Sequence, residues 1–120
     1  MFVVNCSDVK AMKSPEGDPM VDQGPIFMQR LMDGNSTGGF TVSMVTFNPG
    51  SKLAFHTHPY EQILFVTAGK GILATRDKEY AVTPGMVIVI PAGEVHTHGA
   101  AEDTPFSHLA VYKGDSTVVK

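Results

Sequence analysis

The chain is short of several things, and each shortage narrows what it can be. Cys6 is its only cysteine, which excludes an intrachain disulfide and any cysteine-rich metal site. Lysine and arginine number 9 against 12 acidic residues and form no cluster, so neither nucleic acid nor an anionic membrane surface finds a basic patch. The longest apolar run, residues 86–90, is far too short to span a bilayer. The opening Met-Phe-Val-Val-Asn-Cys has no basic segment leading into a long apolar one, so the expectation is a cytoplasmic protein rather than a secreted one. Nowhere does an apolar period of 3.6 residues persist, which leaves little room for helix.

What is present reads as β structure. At 120 residues, with 42% hydrophobic and 18% charged residues, the sequence predicts one ordinary globular domain over 1–120. Glycine and proline punctuate short segments rich in Val, Ile, Phe and Thr. Strands are expected at 26–32, 41–48, 53–58, 63–68, 71–75, 79–82, 86–90, 95–98 and 106–112. Turns are expected at Asn48-Pro49-Gly50, Gly69, Pro84-Gly85 and Pro91-Ala92-Gly93, with glycines where a positive φ is often required. Residues 35–39 read as a hairpin tip, and the polar, turn-rich segment 13–24 reads as either an ordered arm or a loose loop. Evenly spaced short strands of this kind suggest an all-β sandwich or barrel.

Histidine carries the chemistry. Four of the 5 histidines fall in two His-x-His clusters, His56-Thr57-His58 and His96-Thr97-His98. In a strand, residues i and i+2 point to the same face, so each cluster offers two imidazoles on one side of a sheet. Imidazole is a common ligand for divalent transition metals, and strands distant in sequence face each other across a barrel. His108, alone in a late strand, reads as a core residue or a cavity-lining one.

Two longer patterns surround these clusters. Residues 50–69 run Gly50, five residues, His56-Thr57-His58, three residues, Gln62, six residues, Gly69. Residues 85–100 run Gly85, five residues, Pro91-Ala92-Gly93, two residues, His96, three residues, Ala100. Together they resemble the two signature motifs of the cupin superfamily, separated by a short spacer as in many compact microbial members. The resemblance implies a double-stranded β-helix, or jelly-roll, barrel with little helix. It implies one divalent transition metal per chain (Fe, Mn, Ni or Zn) held by His56, His58, Gln62 and His96, and a homodimer, to which small size also inclines the chain.

The chain departs from the cupin pattern at two positions. The acidic ligand of the first motif is replaced by Gln62, while Glu61 lies one position early and, by strand parity, on the opposite face. Gln62 is either a neutral fourth ligand or a hydrogen-bonding interior amide; as a ligand it would leave the cation's charge uncompensated and favour an anionic ligand or substrate. Ala100 stands where the second motif usually ends in Asn, in a His-x-His-Gly-Ala segment that resembles a subset of cupins. Parity puts His98 on the face of His96, where it supports a ligand, acts as general acid/base, or is simply a polar residue at the barrel rim; Glu61 and His108 are outside candidates for that proton transfer.

The functional expectation is Lewis-acid chemistry on a small molecule bearing a carboxylate, enol or dicarbonyl group. Among the activities that the resemblance implies, dioxygenase chemistry leads, followed by lyase, isomerase and decarboxylase chemistry. A sensing or ligand-storing module without turnover, and a purely structural metal, are the other classes. Phe47, Phe55, Phe65, Met44 and Met86 are candidate pocket residues by strand parity.

Overall fold

The computed structural model describes all 120 residues, Met1–Lys120. After a 3-10 turn at Cys6–Asp8 come β1 (Met12–Lys13), β2 (Val21–Gln23), β3 (Ile26–Met32), a one-turn α1 (Gly34–Thr37), β4 (Thr41–Phe47), β5 (Lys52–Leu53) and β6 (His56–Thr57). Then follow β7 (Gln62–Gly69), β8 (Gly71–Ala74), β9 (Glu79–Val82), β10 (Val87–Ile90), β11 (Thr97–Ala100), β12 (Phe106–Tyr112) and β13 (Thr117–Val118). All ladders are antiparallel. A six-stranded sheet in the order β1-β3-β4-β12-β7-β10 faces a five-stranded sheet in the order β2-β5-β11-β8-β9, and β13 pairs with β6. This is the jelly-roll arrangement expected from the motifs. No helix is long and apolar enough to cross a membrane.

Period-2 alternation decides what faces the interior. Along β7, Gln62, Leu64 and Val66 are buried, while Ile63, Phe65 and Thr67 are exposed. Side chains from both sheets meet in one apolar cluster that includes Leu64, Val66, Leu73, Val82 and Ile90. At its base Phe47 stacks on Phe106 with ring centroids 5.6 Å apart. The turn into β8 needs glycine at its first position. Gly69 sits at φ +79°, and a Cβ there would overlap the Pro105 carbonyl oxygen.

Three local expectations change in the structure, and one that stood open is decided. Segment 53–58 is not one strand, because the chain changes partners in the middle. The Ala54 amide donates to the Met20 carbonyl at 2.8 Å, and the Phe55 carbonyl accepts from Val119 at 2.9 Å, so β5 and β6 belong to different sheets. The strand expected at 95–98 begins at Thr97 and runs on to Ala100. The tip at 35–39 does link the antiparallel β3 and β4, but as a helical turn. Asp33 caps it by accepting from the Asn35 amide, and Gly38 ends it at φ 70°. Segment 13–24 is an ordered arm: β1 pairs with β3, and β2 pairs with β5.

Candidate metal centre

Backbone pairing brings the two His-x-His clusters together. His56 and His96 form an antiparallel bridge in which each amide donates to the other's carbonyl, at 3.0 and 3.1 Å. Their ring centroids lie 4.3 Å apart. His58, two residues beyond His56, is also buried, with its ring 4.9 Å from those of both His56 and His96. One ring nitrogen from each of the three lies within 4.8 Å of the others.

The second ring nitrogens explain why two of these imidazoles are held so firmly. His56 Nδ1 donates to the Ala54 carbonyl at 2.7 Å, and His96 Nδ1 donates to the Glu94 carbonyl at 2.9 Å. A carbonyl can only accept, so Nδ1 carries the proton and Nε2 keeps its lone pair. That is how ligating histidines are commonly oriented. Burial lowers all three pKa values, for His56 and His58 to about 4, so the imidazoles are neutral at pH 7. The Ala54 and Glu94 hydrogen bonds oppose that shift but do not overcome it.

Three buried polar atoms here have no hydrogen-bond partner: His58 Nδ1, His96 Nε2 and Gln62 Oε1. An orphaned buried polar atom costs about 1–3 kcal/mol, and grouping several needs a reason. A cation among neutral nitrogen and oxygen donors supplies one, so the residues present fit a divalent metal. Gln62 opens β7, is 5% exposed and lines the same chamber as His56 and His58. Glu61 is exposed, on the side away from it.

His98 and His108 make a second group. His98 Nδ1 and His108 Nε2 share a hydrogen bond at 3.0 Å, and both residues are at most 2% exposed. His98 stacks beside His96 with centroids 5.2 Å apart and planes 17° from parallel. Burial lowers both pKa values, and neighbouring imidazoles push His98 further down. His98 Nε2 has no partner. Both residues line the chamber of about 350 Å³ that also holds His56, His58 and Gln62. The arm closes one side of it with Met12, Asp18 and Met20, which no sequence signal marks, because turn-rich polar segments look alike whether docked or free.

Most of the apolar pocket candidates lie elsewhere. Phe47 is core beneath the histidine pair, its ring 5.7 Å from that of His108. Phe65 is 42% exposed because Gln62 faces inward and odd-numbered neighbours on β7 must then face outward. Phe55 leaves the chamber where the strand breaks and packs under Arg76, whose guanidinium lies 4.7 Å from its ring. Met44 is half-buried outside, within reach of Thr67 Oγ1, and Met86 is 45% exposed on the turn before β10.

A family model described as "Cupin domain" matches residues 43–112, more than half of the chain. The chain belongs to the cupin family. Among curated proteins, this cupin is 48% identical over 69 residues to an (R)-mandelonitrile lyase from Granulicella tundricola, a match covering 56% of the chain and 52% of that protein. The chain thus spans about half the length of that relative. A cupin-like protein from Thermotoga maritima superposes with a TM-score of 0.81 at 31% identity, covering 90% of this chain and 86% of the other. A polyketide cyclase from Streptomyces resistomycificus superposes at 0.82 and 24% identity, covering 100% and 86%, a likeness of fold alone.

Proposed function

We propose that this cupin is a metal-dependent lyase that cleaves a small α-hydroxynitrile into a carbonyl compound and hydrogen cyanide. His56, His58, His96 and the Gln62 side-chain oxygen hold the metal. When bound, a divalent ion supplies Lewis acidity toward an oxygen of the substrate. The observation that carries the reading is the unpartnered Nε2 of neutral His98, in the chamber that His56, His58 and Gln62 also line. A neutral imidazole there takes the hydroxyl proton as the bond between the hydroxyl-bearing carbon and the nitrile carbon breaks. Cyanide leaves with the bond's electron pair and takes that proton from the His98 imidazolium to become hydrogen cyanide, which returns the ring to its neutral form. His108 holds the His98 ring through the Nδ1 hydrogen bond, and the arm keeps bulk water off one side. The relative named as an (R)-mandelonitrile lyase supports the choice of bond, because mandelonitrile is itself an α-hydroxynitrile.

The test is release of benzaldehyde from mandelonitrile by metal-loaded protein, followed by its absorbance. No release above the rate of the metal-stripped protein would sink the reading. Oxygen uptake with enolic or β-dicarbonyl compounds, together with that failure, would put dioxygenase chemistry in its place.

A further inference from the structure

The fold leaves a second concavity, on a side the arm does not cover, that reaches one member of the triad, His96. β9 and β10 follow each other in sequence but lie at the edges of different sheets, so their facing edges stay unpaired. Between them opens a groove of about 520 Å³ whose 13 lining residues include 10 hydrophobic ones. Its deep wall is Leu73, Val82 and Ile90, each at most 4% exposed, and its inner end is His96. Tyr80 and Met86 stand at the mouth, 47% and 45% exposed.

The groove is open to solvent and leaves apolar side chains uncovered, with Val87 and Val89 in its lining each 61% exposed. An open apolar concavity ending at a polar centre is the form that small-molecule sites take. The two concavities also differ in chemistry. The arm-covered chamber carries Gln62, His98 and His108, whereas the groove is mostly apolar, with Thr75, Tyr80 and an exposed Glu94 as its polar side chains besides His96.

We propose that the groove between β9 and β10 is the subsite for an apolar substituent, so that the substrate is an α-hydroxynitrile bearing an aryl or branched alkyl group. The proposal rests on the lyase reading for its head group, and its own content is the tail. The tail lies along Leu73, Val82 and Ile90 beside His96, while the reacting carbon is held at the triad. A groove within the range of about 300–1,000 Å³ typical of small-molecule pockets takes a substituted ring, not merely a methyl group.

The experiment is calorimetric binding of unreactive 2-hydroxy acids of rising chain length, from lactate to 2-hydroxyhexanoate, to the metal-loaded protein. Each buried methylene should lower Kd by about fourfold. Ala81→Trp, at an exposed position lining the groove, should flatten the series; Phe40→Ala, exposed beside Lys113 and outside the groove lining, should leave the slope unchanged. The chain contains no tryptophan, so in Tyr80→Trp the emission reports on the groove alone and should shift to the blue with 2-hydroxyhexanoate but not with lactate.

A flat series in the unmodified protein, or an unchanged slope in Ala81→Trp, overturns the proposal. So does Tyr80→Trp emission that follows protein concentration instead of tail length, which would mean that a second copy covers the groove. Loss of mandelonitrile cleavage with the slope intact sinks the lyase reading and leaves the apolar subsite standing. Cleavage without a slope does the reverse.

Discussion

The five histidines form two groups that differ in what their nitrogens are bonded to. In the triad, His56 and His96 each commit Nδ1 to a backbone carbonyl and leave Nε2 without a protein donor, and His58 Nδ1 is likewise unpartnered. In the pair, His98 and His108 bond to each other. Backbone anchoring fixes a lone pair in space, as a cation requires. Side-chain anchoring leaves the proton position open to a partner ring, which suits a group that gives and takes protons. All five are buried and neutral, so burial alone does not separate the roles. Hydrogen-bond partners do.

The largest expected effect comes from breaking the triad. His58→Ala should lower metal affinity by more than about 100-fold, beyond the usual cost of losing a residue that only supports a ligand. Elemental analysis after dialysis checks this, and equal metal in the variant and the parent would show that the triad is not the site. Next comes the pair. His98→Ala should slow mandelonitrile cleavage by about 10²–10⁴-fold while the metal content stays at the parent level. If metal and activity fall together, the division between the two groups is wrong.

Acid should then reveal what the groups share. His56, His58 and His108 titrate near pH 4 when folded but near 6.5 when unfolded. Between those values the unfolded chain binds more protons, so stability is full above about pH 6.5 and is lost as pH falls toward 4. Thermal melting of metal-free protein from pH 7.5 to 4.5 should show a falling Tm. A Tm independent of pH across that window would contradict the buried, neutral state of these rings. The smallest effect is expected at Gln62. Gln62→Ala should weaken metal binding by about tenfold, and Gln62→Glu should strengthen it by adding a negative charge to a neutral donor set. If neither substitution moves the metal affinity, Gln62 is an interior amide and the centre is held by histidines alone.

Much of this was legible in the residues. The resemblance to the cupin motifs put His56, His58, Gln62 and His96 in one expected site, and parity put Glu61 on the opposite face; the structure buries the first four and exposes Glu61. The same parity rule, applied consistently, would have sent Phe65 outward, since it follows from Gln62 facing inward. Phe55 needed different information. Its escape from the chamber depends on the partner change at Ala54, set by the arm's Met20 carbonyl far away in sequence.

Strand positions, turn glycines and the inward face of β7 come from rules that act over a few residues: a two-residue side-chain period and the conformational freedom of glycine. A chain reading alone therefore reaches them. The bridge between His56 and His96, the pairing of His98 with His108, the docking of the arm and the open seam between β9 and β10 were decided only by the assembled barrel. They depend on which strands become neighbours, and that choice is made by burying apolar surface from the whole chain at once, not by any one segment.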